Sequence, residues 1–103
     1  MTKVIITGSK GRMGQTLIAC AKKLNGIEVV AQIDKDGDLA AVVDQGEVVI
    51  DFSSHSATVD VARICAAHNK ALVIGTTGHT DTDTFDIQAH KKTIPIVWAS
   101  NFS

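Results

Sequence analysis

Short apolar runs alternate with longer segments of mixed polarity along this chain. Five runs predict β-strands, at residues 4–6, 29–33, 48–50, 72–74 and 96–99. The runs are largely apolar rather than alternating, as expected when helices cover both faces of a parallel sheet. Strands that alternate with helix-length segments predict βαβ units and an α/β fold. We expect a Rossmann-type doubly wound parallel sheet with strand order 3-2-1-4-5.

Helices are predicted in the segments between these strands. The expected buried face of the first helix comprises Met13, Leu17, Cys20 or Ala21, and Leu24. Asn25 and Gly26 are expected to end this helix. The other helices are predicted at residues 39–43, from the serines at 53, 54 and 56 to residue 67, and from residue 80 to near residue 92.

Composition limits the classes of function. The chain has 103 residues, which fits one domain, and a net charge of -1, which gives no basic excess for nucleic acid. No apolar run approaches the roughly 20 residues of a membrane span, and the start lacks a signal peptide, so we expect a cytoplasmic protein without membrane contact. The predicted topology places Cys20 and Cys65 on opposite faces of the sheet, which excludes a disulfide between them.

Three glycines occupy the connection between the first strand and the first helix. Gly8, Gly11 and Gly14 form GxxGxxG, a variant of the loop that brings backbone amides and a helix N-terminus to a pyrophosphate. Asp34 lies 20 residues beyond Gly14, at the end of the second strand, where a carboxylate can accept hydrogen bonds from ribose hydroxyls. A tight βα turn with an incidental acid is the alternative. Neither a P-loop nor a GxSxG elbow is present.

Lys35 follows Asp34 directly and bears on the choice of cofactor. Asp34 alone favours NAD, whereas a cation beside it suits the 2′-phosphate of NADP. The pair is therefore compatible with both cofactors. A solvated surface lysine is an equal alternative.

The carboxyl ends of the strands are where open α/β sheets bind ligands, and three further segments lie there. They are residues 51–55, 75–79 and 99–103. His55 and His79 within them are acid–base candidates, with a surface histidine as the alternative. The four histidines have no metal-ligand spacing, so no metal is expected.

Four motifs occur in an order that resembles the N-terminal domain of the dihydrodipicolinate reductase family. They are the glycine loop ending in GRMG, VIDFS at residues 49–53, GTTG at 75–78 and ASNFS at 99–103. The resemblance covers essentially the whole chain. It implies reduction of dihydrodipicolinate with NADH or NADPH, in the diaminopimelate route to lysine, by a homotetrameric parent protein.

The resemblance also implies the cofactor-binding residues. Those expected to hold the pyrophosphate are Gly8, Ser9, Lys10, Gly11, Arg12 and Met13. Asp34 and Lys35 are expected at the adenosine ribose and its 2′-phosphate. Those expected at the nicotinamide are Gly75, Thr76, Thr77, Ala99, Ser100, Asn101 and Phe102. No catalytic residue is assigned to this chain.

In the family, a second domain with a His-His pair and a lysine proton donor follows Asn-Phe-Ser. Residues 1–103 are therefore expected to be one dinucleotide-binding domain that ends at the hinge to the substrate and tetramerisation domain. This domain is expected to bind cofactor without reducing substrate, as a monomer or weak oligomer. The alternatives are another reductase, of the aspartate or homoserine dehydrogenase type, and a stand-alone nucleotide-binding or interaction module.

Overall fold

A five-stranded parallel sheet with helices on both faces forms the described part of the chain, residues 2–34 and 37–99 of a computed structural model. The strands are β1 (Thr2–Thr7), β2 (Ile27–Ile33), β3 (Val48–Asp51), β4 (Ala71–Ile74) and β5 (Ile96–Trp98). The helices are α1 (Arg12–Ala21), α2 (Leu39–Val42), α3 (His55–Ala67) and α4 (Asp81–Gln88), with 3₁₀ segments at Val43–Gln45 and Ala89–Lys92. The predicted α/β class and every predicted strand are confirmed.

The predicted strand order is wrong. The observed order is β2-β1-β3-β4-β5, so β3 lies against β1 on the side away from β2. Both orders obey the handedness of βαβ crossovers, and the handedness rule therefore could not choose between them. Local contacts decide: the Glu47 amide donates to the Lys3 carbonyl at 2.8 Å, and a Cβ at Gly46 would lie 2.8 Å from an Ile5 side-chain atom. The chain therefore enters β3 already in contact with β1.

Two hydrophobic cores lie on opposite faces of the sheet. The larger joins β1, β3 and β4 to α2, α3 and α4, and includes Ile5, Val49, Cys65, Leu72, Ile74 and Ile87. The smaller joins Val4 and Ile6 of β1 to Ile18 of α1. Successive residues of β1 thus face opposite cores, as strand geometry requires. Cys65 belongs to the larger core, whereas Cys20 is exposed on α1, which confirms their predicted separation.

The buried face of α1 agrees with the predicted one only in part, at Leu17, which packs against the smaller core, and at Ala21. Gly14, Ile18 and Ala21 are buried, whereas Met13 and Leu24 are 58% and 53% exposed. A Cβ at Gly14 would lie 2.5 Å from the Gly8 carbonyl oxygen, so the helix packs directly on the loop before it. This contact fixes the rotation of α1 and turns positions four and seven residues after Gly14 toward the sheet.

The end of α1 also comes earlier than predicted. The helix ends at Ala21 with Lys22 as its C-cap, and the following residues form turns rather than a last helical turn. Gly26, predicted as the helix end, has φ +100° and accepts a 2.6 Å hydrogen bond from the Thr2 amide through its carbonyl. Gly26 therefore binds the start of β1 just before β2 begins, and does not cap the helix.

α2 and α3 begin and end close to the predicted positions, whereas α4 ends at Gln88, before the predicted end near residue 92, and a 3₁₀ segment, Ala89–Lys92, follows it. Ser54 is the N-cap residue of α3, although its side chain makes no capping hydrogen bond, and Thr80 caps α4 by accepting from the Asp83 amide at 3.0 Å. Within residues 2–34 and 37–99, no helix is both long and apolar enough to cross a bilayer.

Candidate functional site

The glycine loop between β1 and α1 has a backbone that only glycine permits at two of its positions. Gly8 adopts φ +69°, and a Cβ there would lie 2.3 Å from the Phe52 carbonyl oxygen. Gly14 needs the close approach to Gly8 described above. Gly11 has φ -73° and its nearest contact would be 3.4 Å away, so sterics do not require glycine there. Gly8 and Gly14 therefore shape the loop.

The first turn of α1 opens onto this loop. Gly11 is the N-cap residue and no side chain caps the helix. The first amides of a helix lack intrahelical partners and carry its partial positive charge, which suits an anion. Lys10, Arg12 and Met13 are exposed beside them, and Ser9 is buried.

A cleft of about 280 Å³ on one side of the loop contains Asp34. Gly8 and Asp34 both line it, together with Asp38 and the side chains of α3 that face it. Asp34 is half-buried. The structure thus brings the predicted glycine and the predicted acid to one cavity, which we call the Asp34 cleft.

A second cleft, of about 400 Å³, lies on the other side of the loop. It is lined by Gly11, Arg12 and Met13 after β1, by residues 52–55 after β3, and by Gly75, Thr76 and Thr77 after β4. We call it the central cleft. The Phe52 ring packs on Gly75, where a Cβ would lie 2.1 Å from a ring carbon. Three separate motifs therefore meet around one space.

A buried carboxylate at the end of β3 joins these loops. Asp51 is fully buried and accepts hydrogen bonds from the Thr7 hydroxyl, the Ser53 amide at 2.9 Å and the Ser53 hydroxyl. Its other oxygen accepts from the Thr58 hydroxyl at 2.7 Å. Burying a carboxylate is costly unless such donors compensate it. Asp51 belongs to the predicted strand-end segment 51–55, but its part in this network was not predicted; the available signal was an acid at a strand end with hydroxyl residues around it.

The hydrogen bonds continue from Asp51 toward β5. The Thr58 hydroxyl lies 2.8 Å from that of Thr76, which in turn lies 2.8 Å from His79 Nε2. The His79 ring meets the Trp98 ring edge to face, with centroids 5.5 Å apart. Thr76, His79 and Trp98 line a third cavity, of about 360 Å³. His79 is therefore tied to a buried network and is not a free surface histidine.

The other candidates are placed as follows. His55, at the start of α3, lies 6.5 Å from the His79 ring, centroid to centroid, and is exposed. His68 hydrogen-bonds Asp44 at the surface, 3.1 Å between Nδ1 and Oδ1. Burial raises the pKa of the Cys65 thiol to about 12, and the charge of Asp51 adds to this effect. That thiol is a core group rather than a nucleophile.

Comparison with known proteins decides the family. Residues 2–102 match the family described as dihydrodipicolinate reductase, N-terminus. The chain belongs to the dihydrodipicolinate reductase family. This result decides against the dehydrogenase-type alternatives.

Reductases of this family from two bacteria illustrate the relationship. The 4-hydroxy-tetrahydrodipicolinate reductase of Saccharophagus degradans is 38% identical over 99% of this chain and 47% of its own length. That of Akkermansia muciniphila is 38% identical over 100% of this chain and 42% of its own length. The chain thus spans less than half the length of these relatives.

A solved structure supports the fold. The dipicolinate-bound dihydrodipicolinate reductase of Paenisporosarcina sp. TG-14 superposes with a TM-score of 0.75, at 20% identity, over 87% of this chain and 43% of that one. At this identity the likeness concerns the fold.

The residues predicted to bind the cofactor lie as follows in the described part of the chain. Gly8 and Asp34 border the Asp34 cleft, and Gly11, Arg12 and Met13 border the central cleft together with Gly75, Thr76 and Thr77. Ser9 and Lys10, also predicted at the pyrophosphate, line neither cleft. Ala99 follows β5 and is half-buried. Lys35, Ser100, Asn101 and Phe102 lie outside the described residues.

Proposed function

We propose that this chain binds a nicotinamide dinucleotide, NADH or NADPH, as the cofactor-binding part of a dihydrodipicolinate reductase. The observation that carries the proposal is that the glycine loop, the uncapped start of α1 and Asp34 border adjoining clefts. A dinucleotide needs both clefts, because its diphosphate lies between two nucleosides.

Each of these elements has its own part in the proposed binding. The amides after Gly11 would hold the diphosphate, Asp34 would accept from the adenosine ribose hydroxyls, and Gly75 with Thr77 would border the nicotinamide. The bound nicotinamide would supply a hydride. The chain's own residues bind and orient it, and the Phe52 ring helps to fill the wall of the central cleft.

The charges of residues 34 and 35 bear on the choice between NADH and NADPH. A carboxylate at residue 34 repels a 2′-phosphate, whereas Lys35 next to it attracts one. We therefore propose binding of both NADH and NADPH. The reduction of dihydrodipicolinate on the route to lysine is proposed for the longer protein, on the strength of the relatives' names.

Titration calorimetry with NADH and NADPH tests the proposal, using the Asp34→Asn variant. A hydrogen bond to a charged group contributes about 1.5–3 kcal/mol, so the variant should bind NADH roughly 10- to 100-fold more weakly. The affinity for NADPH should fall less, because the variant also removes the repulsion between the Asp34 carboxylate and the 2′-phosphate. Asp38→Asn is the matched control, since Asp38 lines the same cleft and its side chain caps nothing.

Two results would contradict the proposal. If the folded wild-type chain bound neither NADH nor NADPH, the proposed function would be refuted. Equal losses in Asp34→Asn and Asp38→Asn would remove the role of Asp34. A parallel assay should find no turnover by these 103 residues alone, and measurable turnover would overturn that expectation.

A further inference from the structure

The hydrogen bonds that run from Asp51 to His79 have a direction. The Thr58 hydroxyl lies 2.7 Å from Asp51 Oδ2 and 3.0 Å from the Ser54 carbonyl oxygen. A carboxylate and a carbonyl oxygen only accept, so the single proton of Thr58 is donated to these two acceptors and not to Thr76. Thr58 Oγ1 is then an acceptor for Thr76, which must donate across the 2.8 Å that separates the two oxygens. Each hydroxyl has one proton, so the donor–acceptor direction of one hydrogen bond determines that of the next.

The last bond in the chain determines the state of His79. Thr76 has given its proton to Thr58 and can only accept from His79 Nε2, at 2.8 Å. A neutral imidazole has one N–H, which must therefore be on Nε2. His79 Nδ1 then has a lone pair and no proton.

The surroundings of Nδ1 support the same assignment independently. His79 Nδ1 is buried and has no hydrogen-bond partner among the described residues. A proton there would leave a buried N–H unpaired, which is rarer in proteins than an unpaired acceptor. The Nε2–H form avoids this and also satisfies Thr76.

We propose that Thr58, oriented by Asp51 and by the Ser54 carbonyl, is a positioning residue that acts through Thr76 to hold neutral His79 as its Nε2–H tautomer, with Nδ1 as an acceptor. Thr76 borders both the central cleft and the cavity that His79 shares with Trp98. We call the hydrogen bonds from Asp51 through Thr58 and Thr76 to His79 the relay. The relay therefore fixes a wall that the central cleft shares with the cavity beside Trp98. Its importance for cofactor binding rests on the proposed function, whereas the tautomer itself does not.

Nuclear magnetic resonance of ¹⁵N-histidine-labelled, ligand-free protein tests the tautomer directly. Long-range proton–nitrogen spectra distinguish Nε2–H from Nδ1–H, and His79→Gln identifies the signals of His79. We expect the neutral ring to be Nε2–H in the wild type. A predominant Nδ1–H form in the wild type overturns the proposal without any need for a relay variant.

Variants of Thr58 test whether the relay causes the tautomer. Thr58→Val keeps the shape but removes the acceptor for Thr76, which frees Thr76 to donate to the ring, so the Nδ1–H population should rise at least several-fold. Thr58→Ser restores the hydroxyl and should restore the wild-type tautomer. Thr82→Val, at an exposed position of α4, is the control and should change nothing.

The outcomes separate the relay from simple structural damage and from cofactor binding. An unchanged tautomer in folded Thr58→Val refutes action through the relay. If Thr58→Val does not fold, Thr76→Val and Thr76→Ser form the second pair, and only Thr76→Ser should keep the wild-type spectrum. NADH affinity, measured on the same samples, should fall in the Val variants and recover in the Ser variants. Loss of NADH binding by the wild type would remove the proposed function and leave the tautomer result intact.

Discussion

Alanine at Gly8 should destabilise the protein more than alanine at a glycine with a similar backbone but open surroundings. Gly8 and Gly26 both have positive φ, at +69° and +100°. A Cβ at Gly8 would lie 2.3 Å from the Phe52 carbonyl oxygen, whereas nothing lies within 4 Å of one at Gly26. The pair therefore separates the cost of backbone strain from the cost of collision.

The magnitude follows from two terms. A non-glycine residue in the left-handed region costs about 1–2 kcal/mol, and both variants have this cost. The collision at Gly8 involves backbone atoms that cannot rotate away, and overpacking of this kind costs about 1–3 kcal/mol more. Gly8→Ala should therefore lose roughly 2–5 kcal/mol of the free energy of unfolding, and Gly26→Ala about 1–2 kcal/mol.

Urea unfolding measures the difference. The free energy of unfolding falls by about 2 kcal/mol for each 1 M of urea. Gly8→Ala should therefore lower the urea midpoint by about 1–2.5 M, and Gly26→Ala by about half as much. Gly11→Ala, with φ -73° and no contact closer than 3.4 Å, should stay within ~0.5 kcal/mol of the wild type. Equal losses at Gly8 and Gly26 would refute the reasoning, because the contact with Phe52 would then cost nothing.

Three further predictions concern thiols and helix starts. A thiol reagent should label Cys20 quickly and Cys65 only on unfolding, because Cys65 is buried and Cys20 exposed; mass spectrometry reads the sites, and rapid native labelling of Cys65 would contradict it. Folding raises the pKa of Cys65 from 9.0 to about 12, so its contribution to stability is complete below about pH 9 and is lost as pH rises toward 12. Between about pH 8 and about pH 10, the urea midpoint should fall more in the wild type than in Cys65→Ala. Equal falls in the two proteins would show that ionisation of the Cys65 thiol does not cause the loss of stability. Thr80→Ala should cost ~1 kcal/mol in urea unfolding, whereas Ser54→Ala, without a side-chain cap, should cost less than ~0.5 kcal/mol, and the reverse ranking would contradict the capping assignment.

The sequence predicted the elements of the fold because the relevant signals are local. Apolar runs, the glycines after β1 and the capping residue Thr80 each act within a few residues, and the structure confirms them. The buried face of α1 was predicted only in part: Leu17 and Ala21 do face the sheet, whereas Met13 and Leu24 do not. The decisive contact, that of Gly14 with Gly8, involves an atom that glycine lacks. An apolar pattern gives no weight to glycine, so it favoured Met13 and Leu24.

The clefts were predicted in part. Gly8 and Asp34 were expected at one site because a strand–glycine loop–helix with an acid 20 residues on has a known geometry, and they do share a cleft. The role of Asp51 could not be predicted in the same way. Its partners Thr7 and Thr58 lie 44 and 7 residues away along the chain, and only the strand order brings the first of them close.

The strand order and the Asp51 network are therefore one structural fact. Asp51 pairs in register with Thr7 of β1 and with Ile74 of β4 because β3 lies between those strands. In the order 3-2-1-4-5, β3 would lie two strand spacings from β1, about 9.5 Å, too far for the Thr7 hydroxyl to reach the carboxylate. A double-mutant cycle between Thr7→Val and Asp51→Asn should give a coupling energy of about 0.5–3 kcal/mol in urea unfolding, as expected for residues in one buried network. Additive effects of the two substitutions would show that Thr7 and Asp51 do not interact energetically. That result would refute the explanation that the Asp51 network holds the loops after β1, β3 and β4 at one site.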